Sequence, residues 1–160
     1  MSNEVTFTEF DDKAVRDFLS NMEKKLKAVK GGDRKYVGLL SSIVFRDINQ
    51  HFQDEQGSQG KWKAWSPTYQ EHMQRTGYAG NKILQFNGRL RQNFKPSSVR
   101  SNSEGILWFN DAVTKSGFPY AHAHNEGGSK LPKRDFMWLS ESALVEIEKQ
   151  TLQFMLEEGI

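Results

Sequence analysis

From Asp11 to Phe52 apolar residues recur every three or four positions, a rhythm that a chain satisfies by forming helices. The first set is Val15, Phe18, Leu19, Met22, Leu26 and Val29, with Lys, Asp and Glu on the other faces. Asp11 or Asp12 would cap this helix, because a carboxylate there accepts orphan backbone N–H groups and complements the helix dipole. Gly31-Gly32 ends it. The second set is Val37, Leu40, Val44, Ile48 and Phe52, in a helix starting near Asp33. With so short a connection, the two should form a helical hairpin over about residues 11–52.

Beyond the hairpin the helical rhythm breaks. The stretch QDEQGSQG has no apolar residue and two glycines, which predicts an exposed, flexible loop over 53–61. Ser66-Pro67 fits an N-cap followed by a first-turn proline and opens a short polar helix to about Arg75. Gly77 stops that helix and begins a second loop over 77–82. Ile83, Leu84, Phe86, Leu90 and Phe94 surround Gly88 and fit a short helix or a helix–loop switch. Two β-prone runs flank the quartet Asn102-Ser103-Glu104-Gly105, which predicts a hairpin. Arg134–Leu139 is a third strand candidate. Ser140 then caps a last helix carrying Leu144, Ile147, Thr151, Phe154 and Met155. The expected class is α+β: an N-terminal helical hairpin, a small antiparallel β-sheet and a C-terminal helix, in one domain over residues 1–160.

Composition removes several function classes. Eleven Phe, four Trp and four Tyr give the burial that a disordered chain lacks. The absence of cysteine excludes disulfides, thiolate zinc sites, iron–sulfur clusters and cysteine nucleophiles. No apolar run approaches the roughly 18 residues of a membrane span. The opening MSNEVTFTEFDD lacks the cationic flank and apolar centre of a secretory signal, so the expectation is a soluble intracellular product with no membrane partner.

Charge is unevenly spread. Residues 1–60 carry 10 acidic and 9 basic side chains, residues 61–100 carry 1 and 8, and residues 101–160 carry 9 and 5. The basic block contains Lys61, Lys63, Arg75, Lys82, Arg89, Arg91, Lys95 and Arg100, interleaved with Trp62, Trp65, Tyr69 and Tyr78. Phosphate contacts plus stacking surfaces would suit nucleic acid. The plainer reading is a solvated face whose aromatic residues anchor the core.

His122, His124 and Glu126 form the one constellation that resembles a metal site. In an extended segment residues two apart share a side, so both imidazoles could meet one ion. The plainer alternative packs one histidine in the core and leaves the other in solvent, and no metal or cofactor is expected. Nucleophile motifs and phosphate-cradling glycine loops are missing. The carboxylate pairs Asp11-Asp12, Asp54-Glu55 and Glu157-Glu158 are adjacent and polar-flanked, so neither member is set up as a proton donor. No catalytic residue is assigned.

Four blocks, in order, resemble the phage virion morphogenesis family, the tail-completion or neck proteins of Mu-like and other long-tailed phages. The first is Phe52, Gly60-Lys61-Trp62 and Ser66-Pro67-Thr68. The second, Ile83-Leu84-Gln85 with Gly88-Arg89-Leu90-Arg91, is similar to I-L-x-x-[TN]-G-x-L. Tyr120-Ala121, His124 and Gly127-Gly128 are similar to Y-A-x-x-H-x-x-G-G, and Pro132, Arg134, Phe136-Met137 and Leu139-Ser140 are similar to P-x-R-x-F-L-x-L-S, with Met137 at its Leu position. Trp65 stands where a smaller apolar residue is expected, Asn87 takes the Asn and not the Thr of the [TN] position, and the stretch from Asp111 to Pro119 is longer than usual.

The resemblance implies a non-enzymatic virion protein of the neck or tail, present in the host cytoplasm during assembly. It would act in tail completion and head–tail joining as one subunit of a ring, a hexamer by this resemblance. Its partners would be other copies of itself and the neck, connector and tail-terminator proteins, in proximity to DNA. Trp62, Pro67, Gly88, Leu90, Tyr120, His124, Gly127, Gly128, Pro132, Arg134 and Phe136 would then be structural. Lys61, Lys63, Arg75, Lys82, Arg89 and Arg91 would face a neighbouring subunit, another protein or DNA. A nucleic-acid-binding protein using residues 61–100 is the alternative.

Overall fold

The computed structural model describes residues 13–30 and 32–156. Both N-terminal helices are present: α1 (Lys13–Lys30) and α2 (Arg34–Asp54). The cap positions Asp11 and Asp12 lie outside the described residues. Asp33 caps α2, its carboxylate accepting the Tyr36 N–H at 3.0 Å. The C-terminal helix α6 (Glu141–Leu156) lies along α2. Ser140 caps it as the sequence suggested, accepting the Ala143 N–H at 3.2 Å. The Asp47 carboxylate in turn accepts the Ser140 N–H at 2.9 Å, which ties the start of α6 to the middle of α2.

Tyr36, Leu40 and Ile43 of α2 are buried with Ala143 and Phe154 of α6, and the Tyr36 hydroxyl lies 3.0 Å from Thr151 Oγ1. This packing corrects the hairpin expectation in one respect. The main partner of α1 is α6, and α1 reaches the core only through its last turns. Val15, Phe18, Leu19 and Leu26 are 46–59% exposed, whereas Lys25 is buried and its Nζ donates to the Phe154 carbonyl at 3.2 Å. The reason is that α6 covers the face of α2 bearing Tyr36, Leu40 and Ile43.

The other half of α2 supplies Val44, Ile48 and Phe52 to a second cluster, with Trp62, Leu90, Phe94, Ala121 and Phe136. Phe52 and Phe136 have no exposed surface, and their rings lie 5.1 Å apart. At the end of α2 the expected exposed loop over 53–61 is replaced by the last helical residues and a tight hairpin, β1 (Gln56–Gly57) with β2 (Gly60–Lys61). Glu55 turns left-handed (φ 51°) and its carbonyl accepts the Trp62 N–H at 2.7 Å. The Asp135 carboxylate accepts the Ser58 N–H at 3.2 Å. Gly57 permits that approach, because a Cβ there would sit 2.3 Å from Asp135 Oδ1.

The polar helix α3 (Pro67–Arg75) and the short α4 (Arg89–Gln92) follow, joined through turns over 77–82. The predicted hairpin is present as β3 (Val99–Asn102) and β4 (Gly105–Trp108). Asn102 Oδ1 accepts the Glu104 and Gly105 N–H groups across the turn. Trp108 Nε1 donates to Ser41 Oγ at 2.9 Å, docking the hairpin on α2. Tyr120–Glu126, where only an extended backbone would let His122 and His124 share an ion, is helix α5. The class is α+β, with two separate two-stranded sheets among the described residues where a single small sheet was expected.

Arg134–Leu139 forms no strand and joins neither sheet. Its backbone groups are taken by side chains and by one helix carbonyl, which leaves no ladder to form. Asn125 Oδ1 accepts the N–H groups of Phe136 and Met137, and the Arg134 N–H goes to the His124 carbonyl. Trp62 Nε1 donates to the Asp135 carbonyl at 2.9 Å, and His51 Nδ1 donates to the Phe136 carbonyl at 3.1 Å. The segment is thus a half-buried rail between α2 and α5, anchored inside by Arg134 and Phe136. Truncating its fully buried anchor, Phe136→Ala, should cost about 3–5 kcal/mol, seen as a lowered urea midpoint. A midpoint within error of the unmodified chain would refute this account of the core.

Candidate functional site

A groove of about 1020 Å³ opens between α3, the 82–90 segment, α5 and residues 130–134. Each wall has a local cause. Pro67 sits at the first turn of α3, and Ser66 Oγ accepts the Tyr69 N–H at 3.3 Å, so α3 starts at the groove's edge. The second wall hangs on the end of α2, whose last carbonyls have no partner within the helix. Lys82 Nζ donates to the Gln53 carbonyl and Gln85 Nε2 to the Phe52 carbonyl, each at 2.6 Å. The Ile83 N–H is accepted by Glu55 Oε1. Between these clamps Leu84 takes φ 61°, strained for a side-chain-bearing residue, and lines the groove.

α5 forms the third wall and ends at Gly127 (φ 74°), where a Cβ would lie 2.7 Å from the Lys133 nitrogen. Gly128 then exchanges backbone hydrogen bonds with Leu131 and returns the chain to the rail. At the back Arg134 is 6% exposed. Its Nε and Nη2 donate to the carbonyls of Lys63 and Ala64 at 2.9 and 3.3 Å, so the guanidinium joins rail and α3 lead-in without a carboxylate contact. Burial lowers its pKa, opposed by Tyr69 and Glu55.

The lining is strongly biased in charge. Lys63, Lys82, Arg89, Lys130 and Arg134 line the groove, and among the described residues no Asp or Glu does. Trp65 and Tyr69 meet edge to face, as do Tyr78 and Phe86, and Phe86 leaves half its surface open. Leu84, Leu90 and Tyr120 make the floor apolar. Such a surface suits an anionic segment carrying aromatic or aliphatic side chains.

The tertiary structure divides the sequence candidates. Lys63, Lys82 and Arg89 come together at the groove. Lys61 instead donates to the Asp54 carbonyl, Arg91 Nε is held by Asn49 Oδ1 at 2.8 Å, and Arg75 lies exposed at the end of α3. Trp62, Leu90 and Phe136 are buried core, Gly88 (φ 72°) is the cap of α4, and Tyr120, His124, Pro132 and Arg134 line the groove. Trp65, a stacking candidate in the sequence, lines the groove, whereas Lys130 and Phe86 were missed as site residues. Lys130 stands in a segment whose net charge is negative, and only its return beside Gly128 brings it to the basic block.

The extended geometry that would have let His122 and His124 share an ion is replaced by helix α5, where residues two apart diverge by about 200°. His122 is exposed, whereas His124 is half-buried with Nδ1 lacking a hydrogen-bond partner. Among the described residues, no group of three His, Asp or Glu side chains could hold a metal ion. Comparison of the chain with protein-family models, with curated proteins and with solved structures gives no match.

Burial and then the Arg134 charge lower the His124 pKa below the ordinary imidazole value of 6.5. As pH falls the unfolded chain takes up this proton first, so the contribution to stability is complete above about pH 6.5 and is lost below it. His124→Gln should therefore flatten the decline of the urea midpoint between neutral and mildly acidic pH. An equally steep decline in the variant would show that His124 does not carry it.

Proposed function

We propose that this chain is a non-enzymatic virion assembly protein of a tailed phage, acting in tail completion and head–tail joining as a ring subunit. Its groove would grip an acidic, partly apolar segment of a neighbouring virion protein. One observation carries the reading: the four sequence blocks that resemble the virion morphogenesis family converge on one groove. Ser66-Pro67 from the first, Leu84 and Arg89-Leu90 from the second, Tyr120 and His124 from the third, and Pro132 and Arg134 from the fourth all line it. Residues scattered over half the chain have a shared reason to occur together if that surface is what the protein uses.

The cations favour an anionic partner, and the apolar floor favours a peptide over a bare phosphate backbone. Nucleic acid is the second reading, supported by the exposed faces of Tyr69 and Phe86 among the cations. Arg89 and Lys130 separate the two, because both are exposed groove residues whose side chains form no hydrogen bond among the described residues. Reversing both, Arg89→Glu with Lys130→Glu, should leave the chain folded and weaken docking to purified tails at least tenfold, most at low salt. Unchanged docking with lost single-stranded DNA binding would transfer the function to nucleic acid. Loss of the gene should give filled heads with unfinished or unattached tails by electron microscopy; undiminished infectious particles would sink the assembly reading.

A further inference from the structure

Two helices leave apolar stripes without a partner among the described residues. On α1 the stripe is Val15, Phe18, Leu19 and Leu26, and on α6 it is Val145, Leu152 and Leu156, 56–66% exposed and lining a shallow apolar groove. Both follow helical spacing, so each is a continuous ridge and not a scatter of single residues. The net charges of the two helices are opposite. α1 carries six Lys and Arg against two acidic residues, with Lys13 and Lys27 paired to Asp17 and Glu23, whereas α6 carries three Glu against one Lys, with Glu146 held by Arg46 of α2. One of the six cations, Lys25, is buried inside the chain, and the rest still outnumber the two acids.

We infer that α1 of one copy packs its stripe on the α6 stripe of a second copy. The charges choose this pairing: α1 on α1 would oppose two basic helices and α6 on α6 two acidic ones, while α1 on α6 joins unlike signs. Where the two stripes meet different neighbours the contact is head-to-tail and closes as a ring or grows as a filament; where both meet one neighbour, α1 on α6 and α6 on α1, it is a two-fold dimer, and the ring reading requires the first. The inference deepens the ring reading above by naming the subunit contact. It uses surfaces distinct from the cationic groove, which stays open for another protein.

Two charge variants of the full chain test it. Phe18→Glu places an anion on the α1 stripe, and Leu152→Lys places a cation on the α6 stripe. Both positions are more than half exposed, so unchanged far-ultraviolet dichroism and melting are expected for each. In sedimentation the unmodified chain should assemble beyond a dimer, each variant alone should be monomeric, and an equimolar mixture should double in mass through the one surviving α1·α6 pair. A cross-link supplies the second readout, since the chain has no cysteine. A short bifunctional maleimide should join Phe18→Cys to Leu152→Cys in a mixture and give far less product with either variant alone.

A monomeric unmodified chain at every accessible concentration overturns the inference. So does assembly of either charge variant at the unmodified level, or cross-linking of Phe18→Cys chiefly to itself. If the chain joins phage particles while both charge variants assemble normally, this contact fails and the assembly function stands. If the α1·α6 pair forms but the chain never associates with particles, the contact stands and the assembly function fails.

Discussion

Everything described hangs on α2, a helix of 21 residues covered along its length by two separate clusters. Its first half is sealed by α6 through Tyr36, Leu40 and Ile43, and its second half by the rail at Phe136 through Val44, Ile48 and Phe52. Asp47 and His51 join the two halves. Asp47 accepts from Ser140 at the start of α6, while His51 stacks on Trp138 at 4.0 Å and holds the Phe136 carbonyl. With sheets of only two strands each, no sheet could serve as the scaffold, because a lone hairpin is marginal in water.

The termination of α2 builds the groove. A helix end leaves carbonyls that need donors, and here the donors come from Lys61, Lys82 and Gln85. The Ile83-Leu84-Gln85 block is thus a cap supplied from about thirty residues downstream, and capping draws one groove wall into place. The same local hydrogen bonding explains the sign of the groove. Glu55 is engaged with the Ile83 N–H and Asp135 with Ser58, so these carboxylates serve the frame while the cations line the opening.

The four histidines show how little residue type says about role without a backbone conformation. His122 and His124 invite a metal reading only while their segment is taken as extended, and the helix separates them. His51 attracted no notice in the sequence and is the buried stacking partner of Trp138. α1 makes the same point for apolar periodicity. Its pattern identified a helix and its ridge, and whether that ridge was buried depended on α6 winning the face of α2.

What the sequence by itself determined is what neighbouring residues decide among themselves. It contains α1 and α2 in their spacing, the Ser66-Pro67 and Ser140 caps, the β3–β4 turn at Asn102, and the α+β class that follows. Each depends on hydrogen bonds or side-chain periods that close within a few residues. Tertiary structure decided the rest. Arg134–Leu139 has the residues of a strand, yet Asn125, Trp62 and His51 occupy its backbone. Lys130 belongs by sequence to a segment of negative net charge, and folding sets it beside Lys63 and Arg89. Partners that lie tens of residues away cannot be read from local pattern, because several distant donors could satisfy the same carbonyl and only packing selects one.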